Sequence, residues 1–449
     1  MGLGGLLFAV FAGQPLVIVG VTGPVCILVA TIADLAARWD LPLRGWLLAS
    51  CFWAAAFHAL LALVSAPRAF AGSVTAFSGD VFGALIGVIY VVQGATTLIE
   101  PFVQVQGSDN LTVATPTAVL ALCLGCGCAL LAACLSQCGG KPCLTFSLLS
   151  KLSRLLPRSV ANALAAYAMP LAVIVATAAR FAPAWADAAV GLPLLPVVPP
   201  QNNFWSALGG AAIQEAVTLP AWAAAAAALP GAVLTALLFF DHNVSALLTQ
   251  APHFPLRKPP SYDFDFFLLG VSLILTGFLG LPPNYGLLPQ APMHTEALST
   301  MESGVIVRVC ENRISNTLQA ALLLSLLSPP LMQVLGQVPQ GALGGVFLYL
   351  GVAALAGNGA VARLVRVARG NRRRAVVVVA GLQVVLVCCI FGVTLSEGGL
   401  VFPVLIMGLL PLRRYVLPYA LGKEELESED PVDWGRGKGQ GVAVSIVLE

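Results

Sequence analysis

Gly13-Gln14-Pro15-Leu16-Val17-Ile18-Val19-Gly20-Val21-Thr22-Gly23-Pro24 breaks apolar sequence with glycine and proline where a simple membrane span would run on. Pro15 and the β-branched run after it disfavour helix, while Thr22, Gly23 and Pro24 read as an N-cap region with proline in the first helical turn. An extended stretch is therefore predicted to feed a half-helix that starts inside the bilayer. The same pattern returns in Gly280-Leu-Pro-Pro-Asn-Tyr-Gly-Leu-Leu-Pro-Gln-Ala-Pro-Met-His-Thr295, again an extended stretch leading into a short helix. The plainer reading is a pair of proline-kinked spans.

Lipid is the solvent implied by composition. Of 449 residues 58% are hydrophobic and 10% charged, with a mean hydropathy of +0.89, against roughly 25% charged in a soluble domain. Such a chain cannot cover a water-facing surface, which excludes a soluble enzyme, a nucleic-acid binder and a disordered protein. Apolar segments fall at about 12–38, 43–66, 74–103, 113–137, 157–180, 219–250, 263–280, 285–302, 312–333, 340–359, 374–396 and 399–421, with a stub at Met1–Phe11. A membrane β-barrel would show ten-residue runs of period two, whereas Trp222–Phe240 is continuously apolar and Ala-rich. The fold class is an all-α polytopic membrane protein. From Gly422 the chain turns polar and acidic, then Gly-rich, and reads as a solvated tail.

Alternating sides from the stub onward places 20 of the 23 Lys and Arg on one side and leaves Arg38, Arg44 and Arg180 on the other. The positive-inside rule makes the first side, with the C-terminus, cytoplasmic. The sequon Asn110-Leu-Thr112 falls in an outer loop on this assignment; a second, Asn243-Val-Ser245, lies within a span. Cys123, Cys126 and Cys128 sit mid-span without a His or carboxylate to complete a zinc shell, so small-residue helix packing is the expected role. His58 and His253 read as structural or solvated, while His242 and His294 adjoin the motifs.

Non-helical backbone at membrane depth is tolerated only where protein or a wet cavity satisfies it, and paired broken helices are how transporters build a central site. Each half-helix N-terminus offers unpaired N–H groups and roughly half a positive charge. Two facing ends match a monovalent anion or a polar neutral solute, and neither segment carries a Lys or Arg beside its cap. A third element, Phe239-Phe240-Asp241-His242-Asn243, places an ionisable residue within a span, a default functional site. Asp241 can exchange protons, orient substrate hydroxyls, or pair with its polar neighbours. The other membrane acids, Asp34, Asp80, Glu100 and Glu296, read as boundary residues, and Glu296, on the second half-helix, is the best site candidate among them.

At these residues the chain resembles the bicarbonate-transporter (anion exchanger) superfamily, and within it the borate-exporter branch of plants, fungi and algae. The likeness rests on Phe11-Ala-Gly-Gln-Pro-Leu through Gly20-Val-Thr-Gly-Pro24, Phe239-Phe-Asp-His-Asn-Val, Gly280 through Thr295, Glu311-Asn-Arg-Ile-Ser-Asn316, Gly345-Val-Phe-Leu-Tyr-Leu-Gly351 and Phe402-Pro-Val-Leu-Ile. It implies a seven-plus-seven inverted repeat in which a core domain slides against a gate domain that also forms a homodimer contact. On that template, 1–66 and 219–333 are core, 67–180 and 334–421 gate, 181–218 an extracellular loop and 422–449 a cytoplasmic tail. It also implies a first span and most of a second ahead of Gly13-Gln14-Pro15, where this sequence has Met1–Phe11, so upstream coding sequence is an expectation.

The branch rests on Gln290. Animal chloride/bicarbonate exchangers commonly carry Arg before the second half-helix, whereas Gln offers donors and an acceptor to hydroxyls, which suits tetrahydroxyborate. The expected substrate-binding residues are Gln14, Thr22, Gly23, Asp241, Asn243, Gln290, Ala291 and His294, with no metal. The expected function is elevator-type borate efflux across the plasma membrane; the alternatives are a bicarbonate/chloride exchanger, a transport-dead scaffold, and, less favoured, a nucleobase permease. No nucleotide loop or nucleophile–base constellation is evident, so no cofactor and no enzymatic reaction is expected. The partners expected are a small inorganic anion, the lipid bilayer and a second copy, with no nucleic acid.

Overall fold

The computed structural model describes residues 1–106, 111–138, 157–197, 210–251, 254–288, 290–302, 305–370, 373–395 and 402–430. In chain order the principal elements are α1 (Gly2–Phe11), β1 (Val19–Gly20), α2 (Gly23–Arg38), α3 (Leu43–Leu63) and α4 (Ala76–Gln106). These are followed by α5 (Ala228–Thr249), α6 (Tyr262–Phe278), β2 (Tyr285–Gly286), α7 (Gln290–Ala297), α8 (Ile314–Ser325), α9 (Gln340–Ala356), α10 (Gly359–Ala368) and α11 (Arg374–Thr394).

Among the described residues, five helices are long and apolar enough to cross a membrane, or up to eight if each sharply bent pair is one span. The apolar segments outnumber them because proline and glycine divide several. Segment 312–333 is two helices, Ile314–Ser325 and Pro329–Leu335, bent by 95°, and segment 157–180 is two helices bent by 72° at Tyr167. Segment 285–302 departs further from a helix, running as β2, the eight-residue α7 and then strand Ser299–Glu302, which pairs with Val305–Val309 in a hairpin. β-Branched Val305, Ile306, Val307 and Val309 favour that hairpin, and the apolar pattern alone does not separate it from a short span.

Two compact units divide the chain. The first comprises Met1–Ser78, Pro200–Leu327 and Gly392–Gly441; the second comprises Gly79–Pro199, Ser328–Phe391 and Val442–Glu449. In the first, α3 packs between α5 and α6, and α1 packs on α8. Close approach depends on small residues: a Cβ at Gly231 of α5 would stand 2.8 Å from Ser50 O of α3, and one at Gly277 of α6 would stand 2.8 Å from Cys51 Cβ. This is the small-residue packing expected of membrane helices.

In the second unit α4 crosses α9 the same way, since a Cβ at Gly94 would lie 2.7 Å from Gly344 O and one at Gly351 2.7 Å from Gly87 O. Cys128 joins the packed cluster Ala132, Ala172, Ala176 and Ala342, whereas Cys123 and Cys126 are exposed, so packing accounts for one of those three cysteines.

The described part of the tail is not simply solvated. Residues Lys423–Glu429 form a helix, and Asp430 is buried, bonded by Arg413 and accepting the Phe77 N–H at 2.8 Å. A buried carboxylate is sustained by a charge-assisted pair of this kind. The remaining Gly-rich tail lies outside the described residues, as do Asn110 and His253.

Candidate functional site

The first interrupted segment folds as extended chain followed by helix. β1 pairs antiparallel with β2, Val19 opposite Gly286 and Gly20 opposite Tyr285, and the Leu287 N–H extends the ladder to Ile18 O at 2.8 Å. A two-residue ladder thus joins the two interrupted segments, and each runs within a few residues into its half-helix, α2 at Gly23 and α7 at Gln290. Gly286 is required there: a Cβ would stand 2.9 Å from Ser245 Cβ and 3.1 Å from His242 Nδ1.

Extended backbone inside a bundle must find partners, and the partners here are side chains from far along the sequence. Gly13 and Gln14 N–H donate to the two carboxyl oxygens of Asp265 at 2.7 and 3.2 Å. Asn316 Nδ2 donates to Pro15 O at 2.6 Å and Val17 O at 3.1 Å, and His294 Nδ1 meets Leu16 O at 2.9 Å. Arg313 closes the end of α1 by donating to Ala9 O and Ala12 O at 2.8 and 2.7 Å. On the second segment, Gly286 N–H donates to His242 Nδ1 at 3.2 Å and Ser245 Oγ to Leu287 O at 3.1 Å. Within Asp241–Ser245, then, His242 and Ser245 hold backbone, and Asp241 is left to a different task.

That task involves Tyr285, which the sequence reading did not single out. The β1–β2 register sets Tyr285 beside the start of α2, where its hydroxyl hydrogen-bonds Thr22 Oγ1, and the same hydroxyl bonds the Asp241 carboxyl. Thr22, Tyr285 and Asp241 form a continuous polar chain from the N-cap of the first half-helix to the middle of α5. Asp241 is 6% exposed and eight residues, about 12 Å, before the end of α5 at Thr249, so it lies inside the helix and away from its end.

The other expected site residues distribute as follows. Gly23 is exposed, with nothing within 4 Å of where its Cβ would be, so the N-terminus of α2 opens onto free space. Gln290 opens α7 with its side chain exposed. Ala291 is buried and its N–H donates to Leu287 O at 3.1 Å. Both ring nitrogens of His294 are engaged, one at Leu16 O and the other at Ser315 Oγ, 2.8 Å away, which makes it a brace between segments. Asn243 donates to Phe239 O at 2.6 Å, and its buried Oδ1 and both amide atoms of the fully buried Gln14 have no partner among the described residues.

All of these groups lie in the first unit. The arrangement sets two helix N-termini, each with roughly half a positive charge, beside hydroxyl, amide and carboxyl groups. It suits a small hydroxylated or anionic solute.

Known proteins resemble this chain along most of its length. A Schizosaccharomyces pombe protein is 31% identical over 454 residues, which cover 95% of this chain and 83% of that one. Boron transporter 1 of Saccharomyces cerevisiae is 31% identical over 388 residues, covering 83% of this chain and 62% of the relative's length. A solved structure, the transmembrane domain of the cyanobacterium bicarbonate transporter BicA, aligns over 87% of this chain and 86% of its own at 15% identity and a TM-score of 0.48. The profile of the HCO3- transporter integral membrane domain matches residues 1–122 and 114–432, and the chain belongs to that family.

Proposed function

We propose that this chain exports borate, carrying tetrahydroxyborate or boric acid between the two half-helix ends. The observation that carries the reading is the Thr22–Tyr285–Asp241 chain at the mouth of α2. Tetrahydroxyborate is a monovalent anion whose surface is entirely hydroxyl, so it calls for modest positive potential with donors and acceptors together. The paired dipoles supply the potential, Asp241 and Asn243 Oδ1 accept, Thr22 and Tyr285 do both, and Gln290 presents both donors and an acceptor. Gln14, fully buried beside the first half-helix, holds an amide with no partner among the described residues. The likeness to Boron transporter 1 supports the same substrate.

In this proposal the first unit is the moving core and Gly79–Pro199 with Ser328–Phe391 is the gate, the two exchanging access by an elevator-type motion in a homodimer. The lysine- and arginine-rich loops and the C-terminus face the cytoplasm of a plasma-membrane protein. Bicarbonate exchange is the second reading, favoured by the family's description. Purified chain in proteoliposomes, assayed side by side for boron and labelled bicarbonate flux, separates them. Faster boron flux that bicarbonate does not compete away is the expected result. Bicarbonate flux with no boron flux would overturn the substrate, and absence of both would overturn transport.

A further inference from the structure

Three tryptophans meet at one end of the first unit, roughly 24 Å along α2 from the site at its N-terminus. α2 ends at Arg38, and Trp39 and Asp40 follow before α3 opens at Leu43. The Trp39 ring stands edge-to-face against Trp46 of α3, centroids 5.5 Å apart, and against Trp222 of helix Ala221–Ala226, 6.2 Å apart. Trp46 is fully buried and donates from Nε1 to Ala223 O at 3.0 Å, while Trp53 donates to Ala224 O at 2.9 Å. Two indoles of α3 thus pin the short helix that carries Trp222. Trp39 is set by its own backbone, its N–H donating to Leu35 O at 3.1 Å and Ala36 O at 3.3 Å.

Held in this way, Trp39 and Trp222 are still 45% and 56% exposed. An edge-to-face pair that is open on both rings makes a corner of electron-rich faces, and neither indole N–H has a partner among the described residues. Charge of both signs adjoins it. Asp40, at φ +50°, adopts a left-handed conformation that aspartate tolerates better than most residues, and Arg38 and Arg44 flank it in sequence. The Arg44 stem lies against Gly280, where a Cβ would stand 3.6 Å from Arg44 Cγ. Arg38, Asp40 and Arg44 are exposed, and their side chains have no partner among the described residues. Of the other acids on these elements, Glu215 is engaged by the Gly45 N–H at 3.0 Å, and Asp34 lies one turn before Arg38 on α2.

Tryptophan faces attract cations, quaternary ammonium groups above all, and a carboxylate beside them adds to the attraction. Arginine pairs with phosphate. We propose that this corner binds the phosphocholine headgroup of phosphatidylcholine, with its trimethylammonium on the Trp39 and Trp222 faces beside Asp40 and its phosphate on Arg38 and Arg44. An anionic headgroup would satisfy the arginines and leave the rings and Asp40 without a cation, so the complementarity of charge favours the zwitterion. This site is independent of the borate reading and needs only that this end of the unit reaches the membrane surface.

The test uses the full chain in nanodiscs of equal parts phosphatidylcholine, phosphatidylethanolamine and phosphatidylglycerol with matched acyl chains, and retained lipid is read by native mass spectrometry. The parent chain should retain phosphatidylcholine in preference to the other two. Trp39→Leu with Trp222→Leu removes two rings and should weaken phosphatidylcholine retention at least roughly fivefold, leaving phosphatidylglycerol unchanged. Asp40→Asn keeps a residue suited to the left-handed conformation and should weaken it about threefold; this variant carries the test if the tryptophan pair lowers the melting temperature. Phe264→Leu with Phe267→Leu, which removes two exposed rings elsewhere on the unit, should leave retention unchanged. Four outcomes would each overturn the proposal: no preference in the parent, undiminished phosphatidylcholine retention in Asp40→Asn or the tryptophan variant, the same loss in the phenylalanine control, or equal loss of all three lipids, as a plain interfacial anchor would give. Boron flux is not the readout, so a failed borate reading leaves this result standing.

Discussion

Tyr285 is the residue on which the site's polar chain turns, because a single hydroxyl joins Thr22 to Asp241. Replacing it by Phe keeps the ring and removes the link. A hydrogen bond to a charged group is worth about 1.5–3 kcal/mol, so Tyr285→Phe is expected to lower boron flux roughly ten- to hundredfold at matched surface expression; unchanged flux would remove the hydroxyl from the mechanism. Asp241→Ala should abolish flux, and Asp241→Asn distinguishes shape from charge, because normal transport by the amide excludes proton exchange at that position. Gln290→Arg exchanges a group that donates and accepts for one that only donates. Competition between borate and bicarbonate should shift toward bicarbonate in that variant, and an unshifted preference would count against Gln290 as a selectivity residue.

At the scale of the element, the two interrupted segments are stable because distant side chains take up their backbone groups. Asn316 serves two carbonyls at once, those of Pro15 and Val17. Asn316→Ala leaves both without that donor and is expected to cost about 1–3 kcal/mol, read as a lowered melting temperature in detergent; a variant as stable as the parent would show that other groups take over. Glycine and proline made the interruptions legible in sequence, and a carboxyl in an apolar run marked Asp241. Asp265, Arg313, Asn316 and Tyr285 carried no comparable local sign of their contacts: Asp265 meets Gly13 across 252 positions and Asn316 meets Pro15 across 301, and a local pattern has no access to pairings of that separation. The same holds for His294, whose place beside a motif suggested substrate contact while both ring nitrogens brace backbone and hydroxyl. The hairpin Ser299–Glu302 with Val305–Val309 was hidden for another reason, since a short apolar run reads alike as strand or helix.

Across the whole molecule, the pairing of Val19 with Gly286 bears on how the protein is made as well as on what it carries. A ribosome adding about 5–20 residues per second needs roughly 13–53 s to travel from one strand to the other. For nearly all of that interval Gly13–Gly20 lacks both its ladder partner and Asp265, Asn316 is made later still, and a stretch with unmet amides in a bilayer is a hazard. The nascent first half must therefore wait outside its final position, in the translocon or beside a chaperone, until the second interrupted segment emerges. Chains arrested before Gly280 are expected to expose Gly13–Gly20 to protease and to modification of a cysteine placed at Val19, whereas full-length chains protect both. Protection already present in the arrested chain would mean that the first segment is seated without its partner.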